Sequence, residues 1–225
     1  MTVIKPYNGY VFGSDAGLSY GQMRALASCL ETPQCVQKGV LGGRGGILRL
    51  DLQGVGKVVV KSYFRGGLIR YASRQTHVRV KSWRSASEFG LLAWLKSIDV
   101  SVPEPVAWIV SGRIFYRAWL VTREMPEAST LADIAAMDND RAACLMAEVR
   151  RQVEHLIEYK VFHVDFHPGN VLVDLDGRVF IIDFDRARTG VRGNTSRLRR
   201  RYERRWRRAV TKHNLPVSLV PLFGN

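Results

Sequence analysis

The feature that most constrains this chain is the run His163-Val164-Asp165-Phe166-His167-Pro168-Gly169-Asn170, with Asp183-Phe184-Asp185 beginning 13 residues after the asparagine. Between them lie Val171-Leu172-Val173 and an apolar stretch from Val179 to Ile182, joined through the turn dipeptide Asp176-Gly177. A hairpin there returns the chain, so the spacing predicts Asp165 and Asn170 at opposite ends of one loop and Asp183 facing Asn170 across a metal-sized gap. Asp and Asn also cap turns, and Asp183 at a strand end has that alternative. Upstream, Leu145, Val149, Val153 and Leu156 predict an amphipathic helix over roughly 140–159. A loop this rich in carboxylates and amides, set between a long helix and a short hairpin, points to chemistry rather than capping.

Phosphoryl transfer from ATP needs such a set: a carboxylate near the attacking hydroxyl, an amide oxygen and a second carboxylate on Mg²⁺, and a lysine on the phosphates. Asp165, Asn170 and Asp183 fit the first three roles. Lys61 ends the β-branched run Val58-Val59-Val60-Lys61, and Glu88 opens the following helix, 27 residues later. Ser85-Ala86-Ser87-Glu88 reads as a capping box with Glu88 at N3, whereas resemblance to the protein-kinase-like superfamily implies an ion pair of Glu88 with Lys61. Gly42-Gly43-Arg44-Gly45-Gly46 precedes the strands without forming a clean Gly-x-Gly-x-x-Gly, and the same resemblance implies a phosphate-covering loop there.

The remaining pattern is α+β. Ile47-Leu48-Arg49-Leu50-Asp51-Leu52 alternates, Gly54-Val55-Gly56 turns, and Lys57 to Lys61 continues as a second strand. Phe89, Leu92 and Leu95 mark a one-faced helix from Ser85 to Ile98, and Val106 to Ile109 and Tyr116 to Thr122 read as strands. Past Glu124-Met125-Pro126 the pattern turns helical, with a further strand from Val161 to Val164 and a last helix over about 195–212 carrying Leu198, Tyr202, Trp206 and Val210. The expected layout is a small antiparallel sheet with one helix, a connector, then a helical lobe bearing a short hairpin, with a cleft at the connector.

These motifs resemble the protein-kinase-like superfamily, His-x-Asp-x-x-x-x-Asn standing for its catalytic loop and Asp183-Phe184 for its metal-binding motif. The resemblance implies a bilobal kinase-like domain over 1–225, with an N-lobe at 1–123, a hinge at 124–126 and a reduced, mainly helical C-lobe at 127–225. It implies ATP and Mg²⁺ as cofactors. Asp165 would be catalytic, Asn170 and Asp183 would hold metal, and Lys61, Glu88, Gly43, Gly45, Glu124 and Met125 would bind ATP, with His163, His167 and Asp185 as accessory residues. Three departures narrow the branch. No Ala-Pro-Glu follows Asp183, so a peptide-binding segment has little room; Asp185 replaces a glycine that lets the metal motif flip; and His167 replaces a catalytic-loop lysine.

Tyr63-Phe64-Arg65-Gly66-Gly67-Leu68, Glu88-Phe89, Phe115-Tyr116-Arg117-Ala118, Thr122-Arg123-Glu124 and Ile182-Asp183-Phe184-Asp185-Arg186 resemble the lipopolysaccharide core kinase family, and its 3-deoxy-D-manno-octulosonic acid (Kdo) kinases more than its heptose kinases. That resemblance implies phosphorylation of an inner-core sugar hydroxyl, the 4-hydroxyl of Kdo on lipid A, at the cytoplasmic face of the inner membrane.

Charge agrees with such an acceptor. The chain holds 34 Lys and Arg against 20 Asp and Glu, a net +14. Residues 61 to 87 carry seven cations and no acid, and 186 to 212 carry twelve against Glu203 alone. Arg65, Arg70 and Arg74 are therefore expected on the substrate side, toward an anionic glycolipid and the anionic inner leaflet. Two alternatives stay open. Aminoglycoside and choline kinases share the loop but need an acidic pocket, and a kinase-like nucleic-acid-binding module would use the arginine-rich tail without turnover, a reading that the intact Lys61, Asp165, Asn170 and Asp183 disfavour. Cys29, Cys35 and Cys144 lack metal-ligand spacing and favour a reducing compartment. No apolar signal core or membrane span is evident, so the expectation is a cytosolic protein peripheral to the membrane.

Overall fold

The computed structural model describes residues 1–31, 47–63, 77–78, 83–113 and 115–223. The chain divides into two compact units, Met1–Ala93 with Glu104–Glu124, and Trp94–Pro103 with Met125–Asn225. The glycine cluster with Gly43 and Gly45, and the basic stretch with Arg65, Arg70 and Arg74, lie outside the described residues.

Unit 1 is built on an antiparallel sheet. Its elements are β1 (Val3–Tyr7), β2 (Tyr10–Ser14), α1 (Tyr20–Glu31), β3 (Ile47–Leu52), β4 (Gly56–Ser62), β5 (His77–Val78), α2 (Arg84–Ser97, whose last four residues are counted in unit 2), β6 (Pro105–Gly112) and β7 (Phe115–Arg123). The strands run β1-β2-β6-β7-β4-β3, with β5 also paired to β7. Two helices accompany this sheet where the sequence pattern predicts one, and the β1–β2 hairpin extends it. Asn8 and Gly9, at φ +47° and +77°, turn that hairpin, and Asn-Gly is the dipeptide that tolerates two left-handed residues in succession.

Burial explains why the central strands do not alternate. Ala107-Trp108-Ile109-Val110 of β6 and Ala118-Trp119-Leu120-Val121 of β7 are buried throughout, as strands covered on both faces must be. Phe12, Leu52, Val58, Val60, Ile109, Trp119 and Val121 share one core with Met23 and Leu26 of α1. Gly13 pairs with Trp108 in the β2–β6 ladder, and a Cβ there would sit 2.0 Å from the indole Cε2, so only glycine admits the ring. In α2, Phe89, Leu92 and Leu95 are buried at the predicted spacing, each contributing roughly 1.5–3 kcal/mol.

Unit 2 contains β8 (Ser129–Thr130), α3 (Leu131–Met137), α4 (Asn139–Glu158), a 3-10 turn (Pro168–Asn170), β9 (Val171–Val173), β10 (Val179–Ile181) and α5 (Thr195–Lys212). Three side chains start its helices, Thr130, Asp138 and Asn194, each accepting from the backbone N–H three residues on. In α4 the fully buried stripe is Ala142, Met146, Val149, Val153 and Leu156, while Leu145 is half-buried. Buried Gln152 on the same helix is satisfied, accepting from Ser101 N–H at 2.8 Å and donating to Ser101 Oγ and Glu148 Oε1.

The strand expected over Val161 to Val164 is a single bridge, Phe162 to Arg188. The flanking backbone is claimed by a side chain instead. Tyr202 of α5 donates its hydroxyl to Val161 O at 3.1 Å and accepts His163 N–H at 2.9 Å. No helix among the described residues is long and apolar enough to cross a membrane.

Candidate active site

In unit 1, β4 and the first turns of α2 bring Lys61 and Glu88 together. Lys61 Nζ lies 3.1 and 3.3 Å from the two carboxylate oxygens of Glu88, whose side chain is buried. The Tyr63 hydroxyl donates to Glu88 Oε2, a partner that sequence reasoning did not find although it stands two residues from Lys61 on the chain. Ser85 turns its hydroxyl to Ile109 O, so the serine of the capping-box pattern serves tertiary packing. Glu124 accepts from Arg49 Nε at 2.7 Å and spends its backbone N–H on Lys57 O at 2.9 Å; Met125 follows half-buried.

In unit 2, the loop from His163 to Asn170 is folded by its own polar groups. Asn170 donates Nδ2–H to Asp165 O at 3.0 Å, closing the loop, and its backbone O accepts from Ile182 N–H at 3.0 Å. That second bond ties the loop end to the residue before Asp183. Asn170 Oδ1 keeps its lone pairs from any donor among the described residues. Asp183 is exposed and held at φ +65°, a left-handed conformation that Asp tolerates better than most residues but that still stores strain. An amide oxygen and a carboxylate suit Mg²⁺, which takes hard oxygen ligands, needs few from protein and keeps its waters.

Asp165 is ion-paired. Arg205 Nη2 donates to Oδ1 at 2.8 Å, and Arg186 Nη1 lies 3.7 Å from Oδ2. Neither arginine was singled out from sequence, although Arg205 stands three residues past Tyr202 and one before Trp206, at the margin of the buried stripe.

His163 sits behind the loop. It is buried, its Nε2–H donates to Ile182 O at 2.9 Å, and its ring meets Phe184 at 4.6 Å and Phe166 at 5.9 Å. Burial outweighs that carbonyl and the nearby aspartates and pushes its pKa down to about 4. Phe166 in turn stacks on Trp206 at 5.0 Å. His167 caps the 3-10 turn, its Nδ1 accepting from Gly169 N–H at 3.1 Å. Burial first, then Arg205 and His213, lowers its pKa, so it is neutral at pH 7 and lacks the positive charge of a lysine. Asp185 is half-buried between Phe184 and Arg186.

Unit 1 carries an ion-paired strand lysine and unit 2 a loop with a carboxylate and an amide oxygen. Relatedness gives the class: the protein is a kinase. The family model described as lipopolysaccharide kinase (Kdo/WaaP) family matches residues 39–215, and the chain belongs to that family. It is similar to a 3-deoxy-D-manno-octulosonic acid kinase of Vibrio cholerae, 30% identical over 170 residues, 72% of either chain. A protein of the same name from Xanthomonas oryzae is 30% identical over 188 residues, 82% of this chain and 70% of that one. Another, from Vibrio vulnificus, is 30% identical over 131 residues, 56% of this chain and 55% of that one.

Proposed function

We propose that this kinase transfers the γ-phosphoryl group of ATP to a sugar hydroxyl of the lipopolysaccharide inner core, the 4-hydroxyl of Kdo on lipid A. The observation that carries the reading is the similarity to relatives named Kdo kinases, together with the family match over 39–215, which spans every proposed catalytic position. The arginines around Asp165 support it, since they favour an acceptor bearing acidic groups and disfavour a cationic aminoglycoside.

In this reading Asp165 orients the acceptor hydroxyl and takes its proton as the oxygen attacks. Asn170 and Asp183 would hold Mg²⁺, which when bound would supply positive charge against the phosphates. Lys61, kept in place by Glu88 and Tyr63, would bind the nucleotide phosphates, and Gly43, Gly45, Glu124 and Met125 are the further residues assigned to ATP. The division of labour follows the lobes expected from the motifs, 1–123 for nucleotide, 124–126 as hinge and 127–225 for metal and acceptor. His163 and Asp185 support the loop. Arg65, Arg70 and Arg74 are assigned by charge to the lipid-anchored acceptor, and the protein works peripherally at the cytoplasmic face of the inner membrane.

The test is transfer from γ-labelled ATP to three acceptors side by side: Kdo–lipid A, a heptosylated core and an aminoglycoside. Label on Kdo–lipid A alone is expected. Label on heptose moves the protein to the family's other branch, and label on the aminoglycoside defeats the glycolipid reading.

A further inference from the structure

Beside the loop, unit 2 contains a cavity of about 310 Å³ lined by Phe162, Val164, Arg201, Arg204, Arg205 and Arg208. The four arginines recur on α5 at intervals of three, one and three residues, which puts them on one helix face. Arg201 packs its guanidinium 3.9 Å from the centre of the Phe162 ring, which fixes its direction without consuming its hydrogen bonds. Arg201, Arg204 and Arg208 have no carboxylate partner among the described residues, although the same helix pairs Arg199 with Glu154 and Arg207 with Glu203. Arg205 links the cavity to the loop: its Nη2 holds Asp165, while its buried Nε finds no hydrogen-bond partner among the described residues.

Gathering like charges without counter-charge is unfavourable, and a buried N–H without an acceptor adds a desolvation penalty. Both are relieved by one thing, a ligand with several anionic oxygens, for which guanidinium forks supply matching donors. The volume lies at the lower end of the range for small-ligand sites and suits one acidic group with part of a sugar ring. The lining also includes Phe162 and Val164, which give a ring an apolar wall. Because Arg205 touches both the cavity and Asp165, a group bound there lies next to the carboxylate that meets the acceptor hydroxyl.

We propose that this α5 pocket is the acceptor's anion subsite: it takes a carboxylate or phosphate group of the acceptor itself and so selects a hydroxyl near that group. The proposal deepens the acceptor reading above and rests on it for the identity of the sugar. The nucleotide's phosphates are not its ligand.

The test uses the full chain, with Arg201→Ser, Arg204→Ser and Arg208→Ser combined. A control of equal charge replaces Arg192, Arg197 and Arg200, which are exposed and do not line the cavity. Arg204 and Arg208 are exposed as well, and circular dichroism checks that both variants fold. The first readout needs no turnover: inorganic phosphate titrated against the ¹⁵Nε signal of Arg205. The signal should move in wild type and control, with at least tenfold weaker phosphate binding in the pocket variant. The second is kinetic. The pocket variant should raise the acceptor KM at least tenfold, leave the ATP KM within twofold, and lose competitive inhibition by phosphate. Methyl-esterified Kdo and dephosphorylated lipid A then distinguish the two sources, since only the acceptor lacking the recognised group should lose affinity. Equal KM rises in pocket variant and control, or an unmoved Arg205 signal, overturn the subsite. If phosphate binding depends on the pocket while Kdo–lipid A goes unphosphorylated, the subsite stands and the acceptor assignment falls. A wild-type KM on Kdo–lipid A in the pocket variant has the opposite meaning.

Discussion

Asp183 combines an exposed carboxylate with a left-handed backbone, and the two can be separated by one substitution. Asn is nearly isosteric and also tolerates positive φ, so Asp183→Asn keeps the shape and removes the charge. It should weaken ATP binding only when Mg²⁺ is present and should abolish turnover. Nucleotide titrations with and without Mg²⁺ check this, and wild-type affinity for MgATP in the variant would reassign the metal. His163 makes a second prediction. Its pKa is near 4 in the fold and ordinarily 6.5, so the unfolded chain takes up the proton first as pH falls. The stability tied to its neutral form is therefore present above pH 6.5 and drains away between 6.5 and 4, by about 3 kcal/mol in all. His163→Asn should flatten the denaturant midpoint over that window, and an unchanged slope would show that other groups carry it. The loop and hairpin that carry Asp165, Asn170 and Asp183 were legible in the sequence because they are nearly contiguous. Arg205 was not, because its partner Asp165 is 40 residues away and nothing local encodes the pairing.

Among the elements, α5 holds the loop most directly. Trp206 is fully buried, stacks on Phe166 and donates its indole N–H to Leu219 O at 2.7 Å. Trp206→Ala should cost about 3–5 kcal/mol of stability. It should also lower kcat at temperatures where the variant stays folded, because Phe166 loses the surface it rests on. Chemical denaturation with parallel kinetics measures both, and full kcat in a folded variant would detach α5 from loop support. The helices with clean apolar stripes, α2, α4 and α5, were legible to within a residue or two at each end. The β1–β2 hairpin was announced only by Asn8-Gly9, between strands whose burial is uneven. The strand expected at Val161 failed because period-two reasoning has no means of seeing a tyrosine hydroxyl from a later helix occupying the backbone.

At the scale of the whole molecule, net charge of +14 acts on every anionic partner together. Cations near an anionic bilayer contribute roughly 1 kcal/mol each, and screening contracts to about 3 Å at 1 M salt. Binding to anionic vesicles should therefore be strong at low salt, fall steeply as salt rises, and be weak to neutral vesicles throughout. Sedimentation with the two vesicle types checks it; salt-insensitive binding, or equal binding to both, would point to apolar insertion instead. The α+β class could be read from the sequence at this scale, since the change from period two to period 3.6 past Glu124 needs no tertiary information. The extent of the sheet could not, because both faces of β6 and β7 are covered and the alternation that marks a strand is erased. The bonds from Tyr202 to Val161 and His163 cross 41 and 39 residues of chain. On the ribosome, the loop is therefore translated well before the hydroxyl that shapes it, and at roughly 5–20 residues per second it waits seconds for that hydroxyl. A nascent chain stalled ahead of α5 has every motif residue in hand but not the hydroxyl that shapes the loop, so activity waits for α5.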